Sequence, residues 1–144
     1  MTIRKIPVED TLDLRQRVLR PHQSAADLVF THDRDPDAFH LGAFAADMLI
    51  GVASFTPEAH EEVAGLRPYR LRGMAVRPEH RKKGVGAALM DTGRQEMAAR
   101  GCDILWCNAR TPAVAFYQRQ GMRVIGPPFV IEGIGEHRAM VMVP

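Results

Sequence analysis

The chain has 144 residues, 46% hydrophobic and 25% charged, which excludes a disordered chain and fits one soluble domain of ordinary size. Its formal net charge of +2 excludes a strongly basic or acidic protein, yet the charge is unevenly spread. Residues 1–66 hold 6 basic and 11 acidic side chains, residues 67–83 hold 7 and 1, and residues 84–144 hold 6 and 5. The concentrated positive block is the feature that needs a physical reason.

In chain order, Thr2 to Ile6 reads as a short strand ended by Pro7. Glu9-Asp10-Thr11 opens an apolar-periodic stretch, and Arg15, Arg17 and Arg20 near its end suit a helix dipole before Pro21 closes it. Residues 22–37 read as a loop or short helix. Phe39 to Ala46 and Met48 to Phe55 read as a hairpin turning near Asp47, followed by a loop over 56–68 and a strand from Tyr69 to Val76. Gly84 to Arg100 is a predicted helix with Gly101 at its C-terminal cap. Ile104 to Cys107 reads as a short strand, Thr111-Pro112 opens a helix ended by Gly121, and Met122 to Ile125 is a strand. Gly126-Pro127-Pro128 reads as a turn and His137 to Val143 as the last strand. The order β-α-β-β-β-α-β-α-β-β predicts a mixed α/β sheet in a single domain over residues 1–144, with no internal boundary.

No window reaches the roughly 18–20 apolar residues of a membrane helix, and Met1 to Pro7 lacks a signal-peptide core. The expectation is a cytoplasmic protein with no membrane partner. Cys102 and Cys107 lack metal-site spacing and read as free thiols, so no metal is expected.

Within the basic block a strand ending Met74-Ala75-Val76-Arg77-Pro78 leads into Arg81-Lys82-Lys83-Gly84-Val85-Gly86-Ala87 and directly into a helix. Unpaired amides at a helix start, beside basic side chains and glycines, form a natural site for a pyrophosphate. The segment matches neither the P-loop nor the dinucleotide fingerprint. Its Arg-x-x-Gly-x-Gly pattern resembles the acetyl-CoA loop of the GNAT superfamily of N-acetyltransferases. Downstream, Asn108 at a strand end, Ala113-Val114-Ala115-Phe116-Tyr117 on a helix and Gly121-Met122 resemble the family's second signature, with Met122 where phenylalanine is usual.

The resemblance implies a mixed, mostly antiparallel sheet splayed between the Tyr69–Val76 and Ile104–Asn108 strands. It implies direct acetyl transfer from acetyl-CoA to a primary amine of a small molecule or peptide, with no acyl-enzyme. Met74, Ala75 and Val76 would flank the pantetheine arm. The amides from Arg81 through Lys82, Lys83, Gly84, Val85 and Gly86 to Ala87 would hold the pyrophosphate. Asn108 would contact the pantetheine or the splayed strand, and Tyr117 would protonate the leaving thiolate. Gly73 would bulge the strand and turn the Met74 amide toward the thioester oxygen. From the residues alone, Tyr117 reads first as a half-buried packing residue, and Gly73 has a tight-packing reading beside the bulge.

The acceptor side has weaker signals. Glu58, His60, Glu61, Glu62, Glu132, Glu136 and His137 are candidate proton acceptors with no motif behind them. Arg70 and Arg72 share a strand face by alternation, where they either read an acceptor carboxylate or stand in water at a sheet edge. Two other readings of the basic block remain open: an acyl-CoA-binding sensor without catalysis, and a nucleic-acid patch. The acidic front and the 6% aromatic content disfavour the second. A homodimer is compatible with the resemblance but has no sequence signal of its own.

Overall fold

Alternating apolar residues and glycine or proline punctuation divide the chain into seven strands: β1 (Thr2–Ile6), β2 (Phe39–Ala45), β3 (Met48–Pro57), β4 (Pro68–Val76), β5 (Ile104–Arg110), β6 (Arg123–Ile131) and β7 (Gly135–Met142). The computed structural model describes residues 1–144. The strands form one sheet in the order β1-β2-β3-β4-β5-β7-β6. Every neighbouring pair is antiparallel except β4 and β5, so the mixed α/β class is as expected.

The longest helix, α2 (Val85–Ala99), lies on one face of the sheet with the short α3 (Val114–Arg119). Leu89 and Met97 of α2 and Tyr117 of α3 join Leu41, Phe55, Leu105 and Met140 in the larger core. On the other face, Leu14 packs with Ile6, Phe44, Val52 and Ala75 in a smaller one. Leu14 belongs to the segment expected as a single helix before Pro21. That segment instead winds as a 3-10 turn (Val8–Thr11), a short α1 (Leu12–Leu14) and a π turn (Arg15–Leu19). The Arg20 amide closes the wide turn on the carbonyls of both Arg15 and Gln16.

Two strands run further than the sequence suggests. β5 continues past Asn108 to Arg110 because β7 pairs with it from Leu105 through Arg110. β6 runs through Gly126-Pro127-Pro128, which is therefore no chain-reversing turn. The three residues loop out as the register jumps from Ile125 opposite Ala139 to Phe129 opposite His137. Proline is tolerated there because β6 is an edge strand and the looped residues owe the ladder no N–H.

The central feature is the opening between β4 and β5. They pair only from Pro68–Ile104 to Arg70–Trp106. Beyond that, β5 stays with β7 while β4 bends away at a bulge. Val52 faces Ala75 and Ser54 faces Arg72, so Ala53 alone stands opposite both Gly73 and Met74. Gly73 has φ +63°, the left-handed conformation that such a bulge needs and glycine adopts freely. The extra residue reverses the alternation. Tyr69 and Leu71 face the larger core before the bulge, and Met74 and Val76 pack against it afterwards.

Candidate active site

The gap between the strands opens into a groove of about 740 Å³. One wall is the end of β4, at Met74, Ala75 and Val76; the other comes from the α3 region, at Pro112, Ala113 and Phe116. The loop into α2 closes one end. There Lys82 has φ +60° and Gly84 has φ +81°, and this curl gathers successive amides into a concave, anion-accepting surface. The first bond of α2 runs from the Ala88 amide to the Gly84 carbonyl, leaving the amides of Val85, Gly86 and Ala87 without a partner in the helix. Arg81 and Lys82 line the same end, whereas Lys83 is exposed and lines no part of the groove.

The two glycines of this loop have different causes. Gly84 supplies the left-handed turn, and a side chain there would meet nothing within 4 Å. Gly86 makes room for the Phe116 ring, which would stand 2.9 Å from a Cβ at that position. The basic loop and the Phe-Tyr helix therefore pack directly on one another, which explains in physical terms why the two motifs occur together.

At the throat of the gap lies a smaller cavity of about 180 Å³. Leu19, Met74, Arg110 and Ala113 line both spaces, so the two meet there. Asn108 and Tyr117, expected at the cofactor, line this smaller cavity rather than the groove. The Asn108 Oδ1 is buried and accepts no hydrogen bond. Burial pushes the Tyr117 phenol well above its usual range, with nearby Cys107 adding to the shift, so its proton is held throughout the neutral range. The Cys107 thiol is pushed up to about 12 by burial. That leaves it a packed, protonated group rather than a nucleophile.

Arg70 and Arg72 both line the smaller cavity but are differently engaged. Arg70 donates to Glu58 at 2.9 Å and lies over the Trp106 ring, 4.6 Å from its centre. Arg72 has no carboxylate within ion-pair distance. Its guanidinium lies over the Phe30 ring at 4.1 Å, and burial together with Arg70 pulls its pKa down to about 10. Arg20 and Arg110 also line this cavity, and no Asp or Glu does.

Of the candidate proton acceptors, only His137 reaches it. Glu58 pairs with Arg70, His60 packs edge-on against Trp106, and Glu136 accepts from Thr111. Glu61, Glu62 and Glu132 are exposed.

Sequence reasoning missed Leu19, Arg20, Phe30 and Arg110, brought in from segments far apart in the chain. It also missed Arg15, the largest fully buried side chain. Arg15 grips Asp33 with both terminal nitrogens, at 2.6 and 3.2 Å, and donates to the Leu28 carbonyl and Ser54 Oγ, each at 2.7 Å. It is an interior anchor, not a partner for a helix dipole.

No helix is long and apolar enough to cross a membrane, and no cluster of three or more His, Cys, Asp or Glu is placed to hold a metal ion. Among known proteins, the chain is 38% identical over 140 residues to "Uncharacterized N-acetyltransferase YitI" of Bacillus subtilis (strain 168), covering 97% of this chain and 94% of that one. Its fold resembles that of an aminoglycoside 6'-N-acetyltransferase solved with coenzyme A (TM-score 0.80, 17% identity, 99% and 97% of the two chains). It also resembles Escherichia coli ElaA (TM-score 0.77, 19% identity, 97% of each chain). The family model "Acetyltransferase (GNAT) family" matches residues 5–122, and with the 38% identical relative this shows that the chain belongs to the GNAT family of acetyltransferases.

Proposed function

We propose that this chain, acting as one domain, transfers the acetyl group of acetyl-CoA directly to the amine of a small acceptor that carries a carboxylate. The donor side rests on the groove. The amides from Lys82 to Ala87, with Arg81 and Lys82, suit a pyrophosphate by charge and by their free N–H groups. The Arg77 amide bonds to the Ile50 carbonyl, so strand alternation turns the Val76 N–H and C=O away from β3, toward the groove. The pantetheine arm would pair with Val76 and Met74 there, and the orphaned Asn108 Oδ1 would accept one of its amide protons.

Acetyl-CoA supplies an activated thioester. The Met74 amide, displaced by the bulge, is the proposed donor to the oxygen that becomes negative as the amine attacks. Tyr117, protonated and lining the smaller cavity, is the proposed acid for the departing thiolate. The free amine attacks the thioester carbon, a C–N bond forms and the C–S bond breaks. The thiolate takes the Tyr117 proton, and the nitrogen's surplus proton restores the phenol through water.

One observation carries the acceptor class: Arg72 is a half-buried guanidinium with no carboxylate partner, in a cavity lined by four arginines and no acids. Such a charge is costly unless an anion completes it. A polycationic acceptor such as a polyamine or aminoglycoside would be repelled, whereas a carboxylate would be bound. The cavity volume suits a molecule of amino-acid size. The test follows CoA release with L-amino acids, polyamines, aminoglycosides and peptide N-termini. Activity confined to carboxylate-bearing amines, with KM raised at least about tenfold in Arg72→Ala, supports the reading. Preference for polycations, or an unchanged KM, refutes it. Absence of acetyl-CoA binding by calorimetry refutes the donor side.

A further inference from the structure

The acceptor amine arrives as an ammonium and must lose a proton before its nitrogen can attack. We propose that His137 Nε2 takes that proton, a role that rests on the acetyl-transfer reading above. His137 is 4% exposed and lines the smaller cavity. Its Nδ1 lies 2.8 Å from the Gly135 carbonyl, which can only accept, so Nδ1 carries the hydrogen and donates it. That bond fixes the tautomer and leaves the Nε2 lone pair free. The ring is further fixed by stacking on Phe129 at 5.9 Å.

The sheet places this imidazole on the side from which the acceptor would enter. Directly paired residues share a face, so His137 shares one with Arg110, as Ala139 does with Asn108. Arg70 and Trp106 are paired in the same way and lie on that face too. Arg72 follows by alternation, opposite in sense to the core residues Tyr69 and Leu71. Tyr117 and Cys107 belong to the opposite, core side. The carboxylate reader and the proton acceptor therefore stand on one face of the sheet and the proton donor on the other. The other charged and titratable groups lining this cavity are Arg110 of β5, Arg72 and Arg70 of β4, Arg20 after the π turn, and Tyr117 and Cys107 on the core side; the nearby carboxylates of Glu136 and Glu58 are held by Thr111 and Arg70 outside it. None of the lining groups is a carboxylate that would compete for the proton.

The proton moves from the ammonium nitrogen to Nε2, giving a free amine and an imidazolium. The imidazolium returns the proton to solvent after turnover, so no other reactant is required.

The first test compares His137→Asn with the parent chain, using the most active amine of the panel. Asparagine keeps a donor toward Gly135 and removes Nε2. At pH 6–7, kcat/KM is expected to fall roughly 10²–10⁴-fold, with the acetyl-CoA Kd unchanged. The loss is expected to shrink as pH rises toward the acceptor's own ammonium pKa, because free amine is then present without a base. A merely structural role would lower the rate equally at every pH, and that result overturns the proposal, as does an unchanged rate. Added imidazole is expected to restore activity to His137→Ala, and failure of rescue in a variant that still binds acetyl-CoA counts against it. If no panel amine is accepted, or neither variant folds, long-range proton–nitrogen spectra of the parent chain decide. An Nδ1–H tautomer at neutral pH supports the assignment, and an Nε2–H tautomer overturns it. Parent protein that fails to bind acetyl-CoA would overturn the donor reading instead, so the two failures are distinct.

Discussion

The Nε of Arg15 lies directly against the backbone of Gly73, 2.8 Å from where a Cβ on that glycine would stand. The bulge that separates β4 from β5 thus rests on a buried guanidinium. That Nε has no hydrogen-bond partner, while the rest of the group is held by Asp33, Leu28 and Ser54. Both Arg15 and Arg72 lie 4.1 Å from the centre of the Phe30 ring. The anchor under the bulge and the proposed carboxylate reader therefore contact the same aromatic side chain.

Gly73→Ala should be costly for two separable reasons. The left-handed φ of +63° disfavours any Cβ, and the new methyl group would press on Arg15 and on the Phe30 ring. Strain of this kind costs about 1–3 kcal/mol, to be read from urea denaturation. Acetyl transfer should fall further than stability accounts for, because the Met74 amide moves with the bulge. Full activity in a folded Gly73→Ala variant would remove Met74 from its proposed role.

Asp33→Asn tests the anchor itself. Both side chains of the Arg15–Asp33 pair are 0% exposed. Removing one partner of a buried pair costs about 3–5 kcal/mol, because the other charge is left uncompensated. Denaturant unfolding should show a loss of that order. A loss below about 1 kcal/mol would mean that the Leu28 carbonyl and Ser54 suffice to hold the guanidinium.

The same network makes stability depend on mildly acidic pH. His40 Nε2 lies 3.0 Å from the Asp33 carbonyl, and Nδ1 lies 2.7 Å from Ser54 Oγ. Nε2 therefore donates, Ser54 accepts from Arg15, and the Ser54 hydroxyl donates to an unprotonated Nδ1. Burial pulls the His40 pKa below its ordinary 6.5. The unfolded chain consequently binds a proton that the folded chain resists, and stability rises with pH through this window. Stability should be full above about pH 6.5 and should decline as pH falls toward the folded-state pKa. The lowered carboxyls of Glu9, Glu96 and Asp103 act at lower pH, below their ordinary values of 4.5 and 3.8. Urea unfolding between pH 7.5 and 5 should show this slope in the parent chain and lose it in His40→Gln. An unchanged slope would assign the effect elsewhere.

What could be read from the sequence divides along the range of the interactions. Gly73, Gly84 and the Phe116-Tyr117 pair are marked locally, by a glycine where a strand must bulge or a helix must start, and by aromatics at helical spacing. The β4–β5 opening is expected only through the family resemblance that those residues carry, and the order of strands in the sheet is not legible at all. Arg15 is marked by nothing local: its partners Asp33 and Ser54 lie 18 and 39 residues away. In isolation it looks like any basic residue near a helix end. The extension of β6 through Gly126-Pro127-Pro128 was equally hidden, because those residues signal a turn unless the strand is known to lie at an edge. Arg70 and Arg72 look equivalent two residues apart, and only partners distant in the chain distinguish them: Glu58 and Trp106 for Arg70, Phe30 for Arg72.

Tyr117→Phe provides the sharpest separation of binding from chemistry. The ring packs in the larger core and makes an edge-on contact with Phe116 at 5.0 Å, and phenylalanine preserves both. Folding and acetyl-CoA affinity should therefore be unchanged, while kcat falls by roughly 10²–10⁴-fold if the phenol protonates the thiolate. Because burial holds the Tyr117 pKa far above its usual range, its deprotonation should leave no basic limb in the pH profile below about pH 10. The loss in the variant should then be constant with pH, in contrast to the loss expected from His137→Asn. An acceptor-independent check replaces the natural leaving group with a thioester of a more acidic thiol, which needs no protonation to depart. The Tyr117→Phe defect should largely vanish with that donor. A defect of equal size with both donors would make Tyr117 a packing residue and leave the departing thiolate to be protonated by water.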